Sequence, residues 1–443
     1  MQNSRRDRRT GDLKATDRKK NAVSHEPRQA ETASDRQGRA PRRKGDLTVQ
    51  RQQMQPVKHS GGDEDIVRVK TGVDRPMLVL ILLLLSLGSI MVFSASYPSA
   101  LAQEGDSLYY IKKQLLFIAI GLTAMIGLSY LPPKFYKTFT VAVFAFALFL
   151  LVVVLIPGIG ISNGEARRWL GLKGTSFTFQ PSEIMKVALV MMLAWYIDTH
   201  QEDVIGRTDK KRRFWVGTVM PCAFVGVACV LVMLEKHLSG TIIVGMIGLC
   251  VMYIGGVHFG WMSALAGVGG AGAIAAFLAM NPYALKRLTT FADEEADKLD
   301  EAWQTTQGLY AIGSGGALGV GLGASRQKYS YVSEAQNDFI FTIWCEELGF
   351  VGAVALIILF LLFIWRGYVI AMRAPDTYSA LVVFGIISQV GIQAFLNIGV
   401  VTDVLPNTGI ALPFFSYGGT SLIILLMEMG VVLSISKHSY QKK

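Results

Sequence analysis

The first 75 residues of this 443-residue chain contain no Phe, Trp or Tyr and no apolar run, while holding 19 Lys and Arg against 11 Asp and Glu. A segment of that composition cannot bury enough apolar surface to offset the entropy of ordering its backbone, so residues 1–75 read as a disordered, basic cytoplasmic tail. The segment also lacks the apolar stretch and small-residue cleavage site of a signal peptide. Cysteine is scarce. Cys222, Cys229, Cys250 and Cys345 lie in or beside apolar runs and none belongs to a CxxC, which argues against a disulfide scaffold and a cysteine zinc site. Beyond residue 75 charge is sparse and nearly balanced, 24 basic to 22 acidic residues, and all 45 aromatic residues fall there. With 51% apolar residues overall, this body is too apolar for a single soluble domain. The basic runs of the tail (Arg5 to Arg9, Arg18 to Lys20, Arg42 to Lys44) could touch anionic lipid, but a solvated tail accounts for them, and no nucleic-acid partner is expected.

A bilayer core of about 30 Å takes roughly 20 apolar residues per helix. Scanning at that length predicts an all-α polytopic membrane domain over 76–443 with about ten spans, near 77–96, 110–130, 138–157, 181–197, 215–234, 239–257, 259–280, 338–365, 379–399 and 413–436. The basic tail abuts the first span, and the densest short-loop cluster, Arg207 to Arg213, falls on the same side, so both termini are expected in the cytoplasm. Two segments on the outer side are too long to be mere connections: 158–180, and a large extracytoplasmic loop, 281–337, between the seventh and eighth spans. Long connections of this kind commonly carry function.

The outer loop opens on Asp293, Glu294, Glu295, Asp297, Asp300 and Glu301, a run that by itself reads as solvated surface. A Gly-rich stretch follows, in which Gly319, Gly321 and Ala324 fit a GxGxxA pattern. With no preceding strand and no βαβ unit, it is a close-packed re-entrant turn rather than a dinucleotide fingerprint. Ionisable residues inside spans are costly and suggest function. Glu183 and Lys186 stand at i, i+3 on one helix face, where they can pair; a packing lock is the bland alternative. Glu346 and Glu347 face different ways, so at least one is expected to brace a loop, and Glu428 is the one clearly midplane charge. Arg167 and Arg168 before Trp169 suit bidentate contact with phosphate or carboxylate. His237 has no second His or Cys at metal spacing, and no metal site is expected there.

Several separated stretches then carry a resemblance: Asn163-Gly-Glu-Ala-Arg-Arg-Trp-Leu170, Gln180-Pro-Ser-Glu-Ile-Met-Lys186, Glu334-Ala-Gln-Asn-Asp-Phe-Ile-Phe341, Glu346-Glu-Leu-Gly349, Leu405-Pro-Asn-Thr-Gly-Ile410 and Ser416-Tyr-Gly-Gly-Thr-Ser421. In this order and on these spans the chain resembles the SEDS family of polytopic cell-wall polymerases, from the first span to the tenth. Gly321-Leu-Gly-Ala-Ser-Arg-Gln-Lys328 is most similar to its division and sporulation branch, FtsW and SpoVE. The resemblance implies an inverting peptidoglycan glycosyltransferase that polymerises lipid II at the outer face of the cytoplasmic membrane, at the division septum. It also implies a class B penicillin-binding protein and divisome proteins as partners. The family's essential aspartate maps to Asp297 by its spacing to Trp303-Gln304, with Asp300 as its rival. Lys298 and Ala302 depart from the family's proline and glycine there, and Glu235-Lys-His-Leu-Ser-Gly240 departs from a more usual Glu-Pro-Asp-x-Gly.

β-1,4 extension from an α-linked lipid pyrophosphate inverts the sugar carbon and requires one base, which a single carboxylate can supply. The departing pyrophosphate requires cations. Arg168, Lys186 and Lys113 are the candidates, with Glu183 and Glu334 as further substrate-binding candidates. The sequence assigns no cofactor, and whether a divalent cation, Mg2+ or Mn2+, assists is left open. The competing function is a lipid II flippase, and a third is a scaffold that recruits a transpeptidase. Transporters tend to show broken helices in corresponding halves and midplane charges, and no internal repeat is visible here.

Overall fold

The computed structural model describes residues 66–67, 72–163, 166–171, 178–206, 209–280, 285, 303–439 and 441–442. The basic tail up to residue 65 and the stretch 286–302, with Asp297 and Asp300, lie outside the described residues.

The longer helices are α1 (Arg75–Glu104), α2 (Tyr109–Ser129), α3 (Pro133–Leu155), α4 (Pro181–Thr199), α5 (Lys210–Leu234), α6 (Leu238–Ile254), α7 (Phe259–Met280), α8 (Trp303–Ser314), α9 (Ile340–Met372), α10 (Thr377–Val401) and α11 (Gly419–Ser436). Their boundaries follow local chemistry. Asp74 caps α1 by accepting from the Met77 amide at 3.0 Å, and Gly105 ends it in the left-handed region. Pro181 opens α4 at a position where the missing N–H costs nothing. Asp376 caps α10 through the Ser379 amide at 2.8 Å.

Among the described residues, eight helices are long and apolar enough to cross a membrane. The remaining two expected spans are α4, whose Glu183, Lys186 and Asp198 interrupt its apolar run, and the 17-residue α6. All ten expected segments therefore fall on helices, with two revisions. The last span begins at Gly419 rather than 413, because Pro413 to Gly418 is a non-helical turn. The fold is also not purely helical. Segment 158–180 holds a small antiparallel sheet, β1 (Gly160–Asn163), β2 (Ala166–Gly171) and β3 (Thr178–Phe179), with a bulge between Ile161 and Ser162.

The ends of the bundle are well defined. The Asp74 amide donates to Ser436 Oγ at 3.2 Å, Arg366 Nε donates to Asp74 at 2.9 Å, and Lys437 Nζ donates to the Ser129 carbonyl at 2.9 Å. The start of α1 and the end of α11 thus share one face, as an even number of crossings requires. The sheet, residues 235–240, α8 and residues 402–418 lie at the other ends of these helices.

The Gly-rich turn has a structural reason. At Gly349 (φ 67°) α9 breaks, and residues 316–321 enter the break. The Val320 and Gly321 amides donate to the Glu346 and Glu347 carbonyls, both at 3.0 Å, while the Phe350 and Val351 amides donate to the Gly316 and Ala317 carbonyls at 2.9 and 3.1 Å. A Cβ on Gly349 would lie 2.3 Å from the Gly319 nitrogen, so only glycine allows the two backbones to meet. The run of glycines serves backbone contact, as the absence of a βαβ unit indicated.

Candidate active site

A cavity of about 410 Å³ opens on the face opposite the two termini between α4, α6 and the residues just before α9, and runs down to mid-helix positions of α10 and α11. Its polar wall begins with α4. Glu183 lies in the first turn, where the helix dipole favours a carboxylate, and Lys186 follows one turn later. Lys186 Nζ sits 2.8 Å from Glu183 Oε2, and the lysine is only 4% exposed. Burial at this level makes the pair mutually dependent.

The sheet carries Arg168 to the same cavity. Its Nη2 donates to the Lys236 carbonyl at 2.5 Å, which ties β2 to the turn between α5 and α6. Lys236 adopts a positive φ of 58°, turning the chain sharply between Glu235 and His237. Gln180 Nε2 reaches His237 Nδ1 at 3.0 Å and Ser182 Oγ at 2.9 Å. Burial pushes the Glu235 carboxyl up to about 8 against the opposing pull of Arg168, and burial, then Arg168 and Lys186, lower His237 to about 3. Both side chains are therefore neutral at pH 7.

The floor is Glu428 on α11, which accepts from Gln389 Nε2 through both oxygens at 3.0 Å. The far wall is knitted from two distant motifs. Asn397 donates to the Asp338 and Ile410 carbonyls at 2.7 and 2.6 Å, and Ser416 Oγ donates to the Asn337 carbonyl at 2.6 Å. The Tyr417 amide adds a bond to the Gln336 carbonyl at 2.8 Å. Segments 334–341 and 405–421 thus form one wall, with Phe414 held in the left-handed region at φ 66°.

Behind that wall both acidic residues of α9 brace the Gly-rich turn. Glu346 accepts from the Arg326 amide at 2.9 Å and from Ser325 Oγ. Glu347, fully buried, accepts from Ser94 Oγ at 2.7 Å and pairs with Lys328 Nζ at 3.0 Å.

Of the substrate-binding candidates, Arg168, Glu183 and Lys186 all line the cavity. Lys113 and Glu334 do not: Lys113 Nζ donates to Tyr109 Oη at 2.6 Å one turn away, and Glu334 accepts from Asn337 Nδ2 at 2.8 Å and Gln336 Nε2 at 3.2 Å. Asp297 lies outside the described residues. The sequence reading missed Gln180, His237, Asp338 and Gln389 as wall residues. Gln180 and Asp338 sit inside the motifs already singled out, so those stretches held the signal. Among the described residues no group of three or more His, Cys, Asp or Glu side chains converges as metal ligands.

Comparison with known proteins agrees with this architecture. The family model of the FtsW, RodA and SpoVE cell cycle proteins matches residues 75–441. Stage V sporulation protein E of Bacillus subtilis is 40% identical over 373 residues, covering 84% of this chain and 98% of that protein. A probable peptidoglycan glycosyltransferase FtsW of Thioalkalivibrio sulfidiphilus is 35% identical over 388 residues, covering 86% and 93%. Among solved structures, a chain from work on structural coordination of polymerization and crosslinking by a peptidoglycan synthase complex superposes with a TM-score of 0.66 at 26% identity, covering 83% of this chain and 99% of that one. The rod shape determining protein RodA of Thermus thermophilus gives 0.60 at 25% identity, covering 83% and 98%.

Proposed function

This chain belongs to the FtsW, RodA and SpoVE family of cell cycle proteins, and we propose that it is a peptidoglycan glycosyltransferase that polymerises lipid II into β-1,4 glycan strands. The observation that carries this reading is the cavity. It gathers two cations, Arg168 and Lys186, with Glu183 and several amides above a floor formed by Gln389 and Glu428. Two cations side by side suit a departing pyrophosphate, and the internal repeat that transporters tend to show is not visible in the sequence.

In the proposed reaction the acceptor 4-hydroxyl attacks the anomeric carbon of a lipid-linked donor. The new C–O bond forms as the bond to the pyrophosphate oxygen breaks, with inversion. Asp297, as general base, takes the hydroxyl proton. Arg168 and Lys186 stabilise the charge that gathers on the departing lipid pyrophosphate, and the low-dielectric surroundings strengthen that interaction. Glu183 holds the lysine ammonium in place. A Mg2+ or Mn2+ ion accompanying the substrate would take most of its ligands from phosphate oxygens and water, as such ions commonly do.

The chain works from the outer face of the cytoplasmic membrane with both termini inside, at the division septum. Its partners there are a class B penicillin-binding transpeptidase and divisome proteins. The support for a transpeptidase is the fold shared with a member of a complex that coordinates polymerization and crosslinking. The decisive experiment supplies lipid II to the detergent-purified chain, with and without such a transpeptidase. Glycan polymer supports the enzyme. Transport of lipid II in sealed vesicles with no polymer under either condition would replace it with the flippase reading.

A further inference from the structure

His237 stands on the cavity wall between two fixed neighbours. Gln180 Nε2 approaches its Nδ1 at 3.0 Å, and a Cβ on Gly240 would lie 2.5 Å from Nδ1 and 2.7 Å from Cε1. Gly240 therefore leaves room for that edge of the ring, and substitution there would push the ring away. With the Gln180 amide nitrogen turned to the ring, as placed, Nδ1 is the acceptor and the ring proton resides on Nε2. Among the described residues no protein group bonds Nε2, and the ring forms part of the cavity wall. The turn is pinned as well: Ser239 Oγ donates to the Thr408 carbonyl, and the Lys236 carbonyl accepts from Arg168.

Arg168 and Lys186 line the same cavity as this ring, and each resists a second proton on it. The other titratable groups of the cavity are Glu183, which is paired with Lys186, and Asp338, Tyr417 and Glu428, while Glu235 lies two residues back along the turn. Burial holds the imidazole neutral, with a pKa of about 3. A neutral N–H in the same cavity as two cations offers an anion a third donor without adding a third charge to the wall.

We propose that His237 donates its Nε2–H to a phosphate oxygen of the lipid-linked pyrophosphate, as the neutral third donor of an anion cradle whose cations are Arg168 and Lys186. The assignment rests on the polymerase reading for the identity of the natural ligand. The cradle itself is tested with simpler probes, farnesyl pyrophosphate and farnesol, which differ only in the anion.

Binding of each probe to the detergent-purified full chain, measured by microscale thermophoresis, separates the outcomes. His237→Leu is expected to weaken farnesyl pyrophosphate binding about tenfold or more, the loss of one hydrogen bond to a charged group, and to leave farnesol binding unchanged. His237→Gln places an amide N–H near the Nε2 position and is expected to stay within about threefold of the native chain. His237→Asn reaches only the Nδ1 position and should behave like the leucine variant, so the Gln and Asn pair decides the matter if His237→Leu fails to fold. The native chain and His237→Gln should also show the same dependence of binding on pH between about 6 and 8, since neither side chain titrates there. Equal binding of farnesyl pyrophosphate by all variants would overturn the cradle. So would equal weakening for both probes, which marks a structural role, or a pH step present only in the native chain. Failure of the native chain to make glycan from lipid II would refute the polymerase reading while leaving the probe result to judge His237.

Discussion

Lys186 Nζ lies 2.8 Å from Glu183 Oε2 on the cavity wall, and the same ammonium also acts electrostatically on Glu428, across the cavity on α11. One cation thus serves two carboxylates, and the consequences of removing each partner differ. Lys186→Met leaves the partly exposed Glu183 carboxylate without its countercharge and removes a cation facing the buried Glu428 side chain, so it should cost more than the loss of a screened surface pair. Glu183→Gln leaves a cation still facing Glu428. The expected result is that Lys186→Met lowers the melting temperature in detergent and abolishes polymerisation, while Glu183→Gln folds normally and loses activity by a smaller factor. Equal melting temperatures for the two variants would contradict this sharing.

Asp297→Asn keeps the side-chain shape and removes its basicity. A general base contributes roughly 10²–10⁴ in rate, so this variant should express and bind lipid II while making at most a few per cent of the native glycan. Asp300→Asn is the control and should lose little, as screened surface carboxylates do. The assay is glycan length and yield from lipid II. A dead Asp300→Asn beside a working Asp297→Asn would move the base by one register and keep the mechanism.

Much of this was legible in the sequence because it is local. The i, i+3 spacing of Glu183 and Lys186 fixes their shared face, and the adjacency of Glu346 and Glu347 indicates loop bracing. The structure extends that bracing to both residues. The cavity was less legible because its wall comes from positions far apart in the chain. Arg168 meets Lys236, and Asn397 joins Asp338 to Ile410, through bonds that no helical period encodes. Lys113 shows the reverse problem: its span and side chemistry fit a pyrophosphate ligand, but Tyr109 one turn away takes its ammonium. The start of α11 was read six residues early because Pro413 to Gly418 is apolar enough to pass for helix, although Phe414 adopts a left-handed conformation there.

Lys328 and Glu347 form the second buried pair, and both side chains are almost fully enclosed. Lys328→Met strands the Glu347 carboxylate with only Ser94 and the Ser325 amide as donors. The double variant Lys328→Met, Glu347→Gln removes both charges, so it should be more stable than Lys328→Met alone. Thermal denaturation in detergent measures this; a double variant less stable than both single ones would show that the pair is not a unit. Gly349→Ala tests the same turn through the backbone. Its methyl would meet the Gly319 nitrogen at 2.3 Å at a positive φ, so it should expel residues 316–321 from the break in α9 and increase proteolysis near the turn.

The buried Glu235 carboxyl gives the fold a dependence on pH that one substitution should remove. Its pKa rises from 4.5 to about 8 through burial, with Arg168 opposing. Between those values the folded chain keeps the proton and the unfolded chain releases it. The stabilisation is full below about 4.5 and is lost as pH climbs towards 8. The slope within that window approaches 1.4 kcal/mol per pH unit, about one proton's worth. His237 acts on the acid side instead, since its pKa falls from 6.5 to about 3 on folding, and it is common to the native chain and the variant. Glu235→Gln matches the neutral carboxyl in shape and cannot ionise in either state. The variant should therefore melt close to the native chain near pH 5 and progressively above it towards pH 8, in detergent at constant ionic strength. Parallel melting curves across that range would mean that Glu235 is ionised in the fold, held as an ion pair by the Arg168 guanidinium.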